Sequence, residues 1–483
     1  MKTIAFYDDR LRLDDEARAF IGVDRFSRIR SRKRTLGEHA RLLLAAAGPV
    51  EVVDIADADD VAGALRVLQA GEQPTRVVIW PSAVTFKDPA AATIVLAKMR
   101  WIDEPFRIAP WRQDGPTLMF LDPASARKVL ARPPWLDPEA PPIPGLQTLP
   151  DQAGMIDLTE RDRLFDLLAG TFDARHFNSI SHDGQLVTKR STDIAKMQRE
   201  HDFYSHLATA AGPLRLFFLE PLAFRRGPDW AEYDSERIGA PDAAIQWIHG
   251  AFDPPGMTRF LGKLGEFLLR RPLRSANAGR EAAERLYLGK VAERQRQLRA
   301  LPAWATVSGM LDRIGAGGLD AITARFERQW RRHADRRKSW DEAISHGDLC
   351  LSNILYCRQS RLMKFIDPRG ATQAADLWMD ANYDLAKLSH SLLGDYDFIN
   401  HDLCDLELDQ DLGLHLCIDG PERSAHQAAF IDLLNRLGRD PDFVRACEAS
   451  LFLSMLPLHA DVPKKVVAFV LQAERIVGRL EQA

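Results

Sequence analysis

Hydrophobic and polar positions follow two regimes along this chain. Up to about residue 132, short β-rich runs (TIAFY, VEVVDI, RVVIW, TLMFLD) are interleaved with segments whose apolar residues recur at helical spacing (LGEHARLLLAA, DVAGALRVLQA, AAATIVLAKMRW, ASARKVLA). That alternation predicts an α/β domain built on an open sheet. Residues 133–150, PPWLDPEAPPIPGLQTLP, hold seven of the chain's 28 prolines. Each proline fixes φ and removes a backbone donor, so neither a helix nor a central strand is expected there and the stretch reads as a linker. Beyond it a mixed segment, 151–240, precedes a largely helical remainder, 241–483. There is no internal repeat and no low-complexity tract.

Within the second part the periodicity is specific enough to place individual side chains. QLVTK reads as a strand with Val187 and Lys189 on one face, and STDIAKMQREHDFYSHL as a helix capped by Ser191 or Thr192. Ile194, Met197, His201 and Tyr204 mark one stripe of that helix, and Glu200 lies beside it, three residues after Met197. ILY and LMKFI, joined by the turn CRQSR, read as a hairpin with Asn353 at one end and Asp367 at the other. DLCDLELDQDLGLHLCID, 402–419, reads as a second hairpin, with Leu406 and Leu408 before a DQD turn and Leu412, Leu414 and Leu416 after it. Its acidic residues suit a cationic substrate such as choline or an aminoglycoside. The simpler reading is a two-faced ribbon, apolar inward and acidic outward.

Composition narrows the function classes. A chain of 483 residues is too long for one ordinary core, and 46% hydrophobic with 27% charged residues is a globular composition. The net charge of -4 provides no broad basic face for nucleic acid, and the basic stretches RIRSRKR (28–34) and RRHADRRK (331–338) read as solvated helix faces or loops. Five cysteines without CxxC pairing argue against a disulfide framework or a zinc site and for a reducing compartment. The acidic N-terminus is not a signal peptide, and no run of about 18 apolar residues is available for a membrane span, so a cytoplasmic protein is expected.

The candidate chemistry lies in HGDLCLSNILY (346–356) followed by KFIDPRG (364–370). Asp348 precedes Asn353 by five positions, as the aspartate and asparagine do in the kinase pattern H-R-D-L-x-x-x-N. Asn353 and Asp367 supply hard oxygen ligands suited to magnesium. Either half alone is an ordinary capped turn. Joined in this order across an apolar hairpin, the two halves point to phosphoryl transfer, which needs little more than a metal on the phosphates and an aimed hydroxyl.

HGDLCLSNILY with FIDPRG resembles the aminoglycoside phosphotransferase and choline kinase superfamily. The DPRG ending and DANYDLAKLSHSLLGDYDFI are more similar to phosphotransferases of bacterial capsule and lipopolysaccharide synthesis. The resemblance covers roughly residues 160–480 and is strongest over 344–399. It implies a bilobal α+β protein-kinase-like domain, with an N-lobe over 151–240 and a helical C-lobe over 241–483. Asp348 would be the catalytic aspartate that orients the acceptor hydroxyl, and Asn353 and Asp367 would ligate Mg²⁺. Lys189 would contact the phosphates of ATP, and Glu200 would fix it by an ion pair. Glu236, Arg237 and Ile238 would form the interlobe hinge that meets the purine. His346 and Asp384 would brace the loop, and Cys350 would be a small buried side chain.

Two departures go with the resemblance. RHFNSISHDGQLVTK carries a single Gly184 in place of a glycine-rich motif, so Ser179 and Ser181 are the hydroxyls available to phosphate, and ATP against GTP is left open. The first domain faintly resembles the sugar-nucleotidyltransferase fold, yet Gly22 and Gly37 are isolated, so it reads as a degenerate α/β module. Asp8 and Asp9 are then an ordinary acidic turn after a strand. The expected activity is ATP- and Mg²⁺-dependent transfer to the hydroxyl of a small molecule, a sugar-like metabolite of surface polysaccharide. A non-catalytic pseudokinase scaffold and a bifunctional nucleotidyltransferase-kinase are the alternatives.

Overall fold

The computed structural model describes residues 2–482 apart from 32–33, 71–74, 99–100, 103, 110–114, 133–145, 171–177, 184, 277, 313, 315–316 and 411–412. The chain divides into two compact units, Met1–Phe172 and Asp173–Ala483. Among the described residues no helix is long and apolar enough to cross a membrane.

The first unit is built on β1 (Lys2–Asp8), α1 (Leu36–Ala47), β2 (Glu51–Ile55), α2 (Ala58–Ala70), β3 (Thr75–Pro81), β4 (Phe106–Ile108), β5 (Met119–Leu121), α3 (Pro123–Leu130) and β6 (Gln147–Leu149). The strands form one mixed sheet in the order β2-β1-β3-β5-β4-β6. β1 runs parallel to β2 and β3, while β5 reverses against β3 and β4. Alternation along β1 explains why the sheet is covered on both faces. Ala5 and Tyr7 enter a core with Ala40, Leu44, Val78 and Trp80, and Ile4 and Phe6 enter another with Ile55, Ala64, Val77 and Ile79. α1 starts where the sequence supplies a reciprocal cap between Thr35 and Glu38.

Each of the four apolar runs and four helical patterns read from the sequence of this unit forms its expected element. The linker differs. Residues 133–145 lie outside the described residues, but Gln147–Leu149 pairs in parallel with β4. Met155–Asp157 pairs with Val84–Phe86. The segment after the prolines thus completes the first unit, and the division falls after Phe172 rather than within 133–150. Asp8 is held by Arg10 at 2.7 Å. Asp9 accepts from Ser27 Oγ at 2.6 Å and pairs with Arg25 at 3.3 Å. Both carboxylates are occupied by their own loop.

The second unit opens with an antiparallel sheet in the order β7-β8-β10-β9, formed by β7 (Asn178–Asp183), β8 (Leu186–Ser191), β9 (Pro221–Arg226) and β10 (Ala231–Glu236). Between β8 and β9 runs α4 (Ile194–Ala211), which buries Met197, Glu200, Phe203, Tyr204 and Leu207. Its cap is Asp193, accepting from the Lys196 amide at 2.9 Å, rather than Ser191 or Thr192. Ser191 instead accepts from the Asp193 amide, and the helix starts one or two residues later than the caps read from the sequence implied.

The rest of the unit contains α5 (Ala243–Ile248), α6 (Pro254–Arg270), α7 (Lys290–Ala300) and α8 (Gly318–Asp335). After these come the hairpin β11 (Ile354–Tyr356) and β12 (Met363–Phe365), then α9 (Tyr383–Leu392), β13 (Cys404–Leu408), β14 (Leu414–Ile418), α10 (Pro441–Met455) and α11 (Pro463–Gln482). α10 is buried on nearly every side, and its Phe443 and Phe452 pack in a helical core with Trp330, Phe469 and Ile476. A second core gathers Phe203, Phe217, Phe218, Phe260, Phe267, Leu349, Leu351 and Phe365. The HGD loop and its hairpin rest on this second core. β13 and β14 pair as expected, and Leu406, Leu414 and Leu416 pack against the helical core. Leu408 is exposed, and Leu412 lies outside the described residues.

Candidate active site

Lys189 projects from β8 into a nearly closed space, only 6% exposed, and an isolated ammonium there would be costly. Two carboxylates compensate. Glu200 Oε2 of α4 lies 2.7 Å from its Nζ and Asp367 Oδ1 lies 2.8 Å away. Burial by itself would lower the lysine pKa, but Asp367 and Glu200 together hold it above the ordinary value. Tyr233 of β10 donates to Glu200 Oε2 at 3.0 Å. The glutamate is therefore fixed by a phenol as well as by the lysine. The i+3 relation to Met197 left the direction of Glu200 open, and it points inward, 1% exposed.

The loop between residues 345 and 353 is shaped by bonds that the motif does not display. Gly347 has φ +80°, and a Cβ there would stand 2.6 Å from Arg369 Cβ. Asp384 of α9 accepts from the amides of His346 (3.0 Å) and Gly347 (2.9 Å) and pairs with the buried Arg271 at 2.9 Å. His346 stacks on Phe218 and meets Phe365 edge-on. Its Nε2 donates to the Ile366 carbonyl at 2.8 Å while its Nδ1 accepts from the Asp348 amide at 3.1 Å. This bonding fixes a neutral tautomer, and burial lowers its pKa accordingly. The ring joins the Asp348 segment to the Asp367 segment.

Asn353 ends the loop, and its Nδ2 donates to the Asp348 carbonyl at 2.8 Å. Its own carbonyl accepts from the Ile366 amide at 3.0 Å. The hairpin β11–β12 thereby sets Asn353 next to the residue preceding Asp367. Asp367 itself takes a left-handed backbone, φ +56°, a conformation that costs a non-glycine residue about 1–3 kcal/mol and is tolerated where neighbours enforce it. Gly370, φ +89°, packs so closely that a Cβ would lie 2.7 Å from the backbone of Arg199 on α4. The Ala371 amide donates to the Arg199 carbonyl at 2.9 Å. The DPRG turn is thus seated on the helix that carries Glu200.

The donor set of Asn353 and Asp367 is all oxygen, which fits Mg²⁺ completed by phosphate and water rather than a closed protein cage. Among the described residues no group of three or more His, Cys, Asp or Glu side chains could hold a metal ion. Glu236 ends β10 opposite Leu186 with its side chain exposed. The Arg237 amide donates to the Gln185 carbonyl at 2.7 Å, and the Ile238 carbonyl accepts from the Ala240 amide at 2.8 Å. These three residues form the connection from the sheet to α5. Ser179 and Ser181 lie on β7 opposite Arg190 and Thr188; their side chains and Gly184 lie outside what is described. Cys350 is buried, with its thiol pushed up to about 12 chiefly by burial.

One residue of the site carried no signal in the motif. Lys387 of α9 places Nζ 2.8 Å from Asp348 Oδ1. Burial opposes its charge, but Asp348 and Tyr383 outweigh that and raise its pKa. It stands three residues after Asp384, on the same helix face, so its position follows once Asp384 is known to brace the loop. Tyr233 and Arg271 were likewise not singled out from sequence, since a strand tyrosine or a lone arginine has no pattern until its partner is placed.

No protein-family model and no curated protein matches the chain. Among solved structures it is similar to an aminoglycoside phosphotransferase from Streptomyces rimosus in complex with ADP and streptomycin, at 17% identity over 62% of this chain and 99% of that one, with a TM-score of 0.36. It is also similar to the GDP complex of aminoglycoside 2'-phosphotransferase-IIIa, at 12% identity over 66% and 99%, TM-score 0.38. A third similarity is to a macrolide 2'-phosphotransferase from Brachybacterium faecium, at 16% identity over 64% and 98%, TM-score 0.32.

Proposed function

We propose that residues 173–483 form a protein-kinase-like phosphotransferase module that moves the γ-phosphate of ATP to a hydroxyl group of a small molecule. The observation that carries the reading is the buried pairing of Lys189 with both Glu200 and Asp367, beside a loop that presents Asp348 and Asn353. A purely structural ion pair has no need of a second carboxylate in a strained left-handed turn. In a nucleotide complex Lys189 would turn toward the phosphates while Glu200, held by Tyr233, keeps it in place. Mg²⁺, when bound through Asn353 and Asp367, neutralises charge on the phosphates. Asp348 is half-exposed beside Lys387, accessible to an incoming hydroxyl that it would orient. Glu236, Arg237 and Ile238 are the proposed purine edge of the site.

The segment DANYDLAKLSHSLLGDYDFI supports a finer reading, in which the acceptor is a sugar-like metabolite of surface polysaccharide. The test is transfer from γ-labelled ATP to a panel of sugars, amino alcohols and aminoglycosides. Asp348→Asn is expected to lower turnover about 10²–10⁴-fold, the usual worth of a positioned acid–base group, and Asp367→Ala to abolish it, with both variants folded. Magnesium-dependent ATP binding without transfer to any panel member would favour a non-catalytic module instead.

A further inference from the structure

Near the Asp348 loop two cations, Lys290 and Arg369, meet neutral partners. Lys290 is the first residue of α7, directly after a π-helical turn over Arg285–Gly289, a feature that recurs at functional sites. Its Nζ lies 3.3 Å from the Tyr383 hydroxyl and 5.7 Å from that ring's centroid. Tyr383 opens α9 one turn before Lys387, which pairs with Asp348. Arg369 is exposed and its Nη1 meets the Met379 thioether at 3.9 Å. Its backbone is tied to His346, two residues before Asp348.

The acids around this cluster do not balance it. Asp348 is matched by Lys387, Asp384 is taken up by Arg271 and two amides, and Asp380 accepts from Tyr287 and Asn382. Lys290 and Arg369 are left facing a phenol and a sulfur. The buried Tyr383 phenol registers the excess. Burial pushes its pKa up, yet Lys387, Lys290 and Arg369 outweigh that and hold it below the ordinary value.

We propose that the acceptor is an anionic hydroxyl compound, such as a sugar phosphate or a sugar acid, whose negative group is held by Lys290 and Arg369 while Asp348 faces the hydroxyl. The proposal rests on the phosphotransferase reading above. In the step itself the acceptor oxygen forms a bond to the γ-phosphorus, and the bond from that phosphorus to the β-γ bridging oxygen breaks. ADP leaves with the electron pair, and the hydroxyl proton passes to the Asp348 carboxylate. A cationic aminoglycoside would meet the same two side chains as a repulsion.

The test uses the full chain, Mg²⁺ and γ-labelled ATP with matched acceptors: glucose, glucose 6-phosphate, glucuronate, further hexose phosphates and uronic acids, and kanamycin. Loss of one charged contact is worth about 1.5–3 kcal/mol, or tenfold and more in affinity. The anionic members should therefore be preferred at least about tenfold over neutral counterparts. Hexose phosphates favoured over uronic acids, or the reverse, identifies which anion the site takes. Lys290→Gln and the exposed Arg369→Gln should each raise KM for the anionic acceptor by about that factor. They should leave KM for MgATP unchanged, and Lys290→Arg should restore much of the loss. Equal or better transfer to glucose or kanamycin, or variants with unaltered acceptor KM, overturns the proposal. Transfer from MgATP to water with no anionic member accepted above that rate also overturns it, while the phosphotransferase reading stands. Failure of the wild type to bind MgATP or transfer phosphate at all removes that reading itself.

Discussion

Asp384 shows how much of the site depends on side chains that do no chemistry. Its carboxylate serves Arg271 and the amides of His346 and Gly347 at once. Asp384→Asn keeps the shape but leaves a buried guanidinium without its counter-charge, which costs about 3–5 kcal/mol. Chemical denaturation should register that loss. Pairing the change with Arg271→Met should recover part of it, and a double variant as unstable as the single would contradict the assignment. Asp397 offers a pH-dependent counterpart. It is buried, one carboxylate oxygen lacks a protein partner, and burial pushes its pKa up to about 7, with the Ser391 hydroxyl opposing and Asp395 adding. An unfolded aspartate titrates near about 3.9, so between about pH 4 and pH 7 the native state holds the extra proton. This residue's contribution to stability is therefore complete at low pH and is lost as pH rises through 7. Asp397→Asn should raise stability above pH 7 by at most about 4 kcal/mol, with the advantage vanishing toward pH 4. Melting curves across that range check it, and a pH-independent difference would contradict it.

At the level of elements, two short pieces of backbone shape the candidate site: the hairpin β11–β12 and the first turns of α9. The hairpin spaces Asn353 and Asp367, and α9 brings Asp384 and Lys387 to the loop from behind. The turn at Gly370 couples the hairpin to α4, because a side chain there would strike the Arg199 backbone. Gly370→Ala should cost about 1–3 kcal/mol from the left-handed φ alone. It should also push α4 outward, lowering turnover through Glu200, which follows Arg199. Unchanged activity in a destabilised variant would mean that this contact is only structural. The hairpin was legible because its strands alternate cleanly around a polar turn and carry a motif at fixed spacing. β4 and β6 were not, since each is short, has prolines close on both sides and carries no motif, and β6 lies within the proline-rich stretch. The start of α4 was misjudged because Ser191, Thr192 and Asp193 are all competent caps, and only the hydrogen bonds decide among them. Lys387 illustrates the deeper limit: a lysine on a helix acquires meaning only when the loop it faces is in place.

At the scale of the whole molecule, the two units have separate cores and were read with unequal success. The first has the α/β sheet its alternating pattern implies, with each acidic residue after β1 satisfied by its own loop, and no catalytic constellation is apparent in its described residues. The second holds the candidate site, where a strand lysine, a helix glutamate and the carboxylate after the hairpin are tied by bonds of 2.7 and 2.8 Å, and His346 joins the loop of Asp348 to the residue before that carboxylate. As proposed above, this arrangement transfers a phosphoryl group directly to a hydroxyl that Asp348 orients. Its most direct test is the rate of γ-phosphate transfer from MgATP to a hydroxyl acceptor by the wild-type chain and by Asp348→Asn, with nucleotide affinity measured alongside. The variant is expected to bind nucleotide as the wild type does and to turn over at least about a hundredfold more slowly. Equal transfer rates for the two proteins would contradict it.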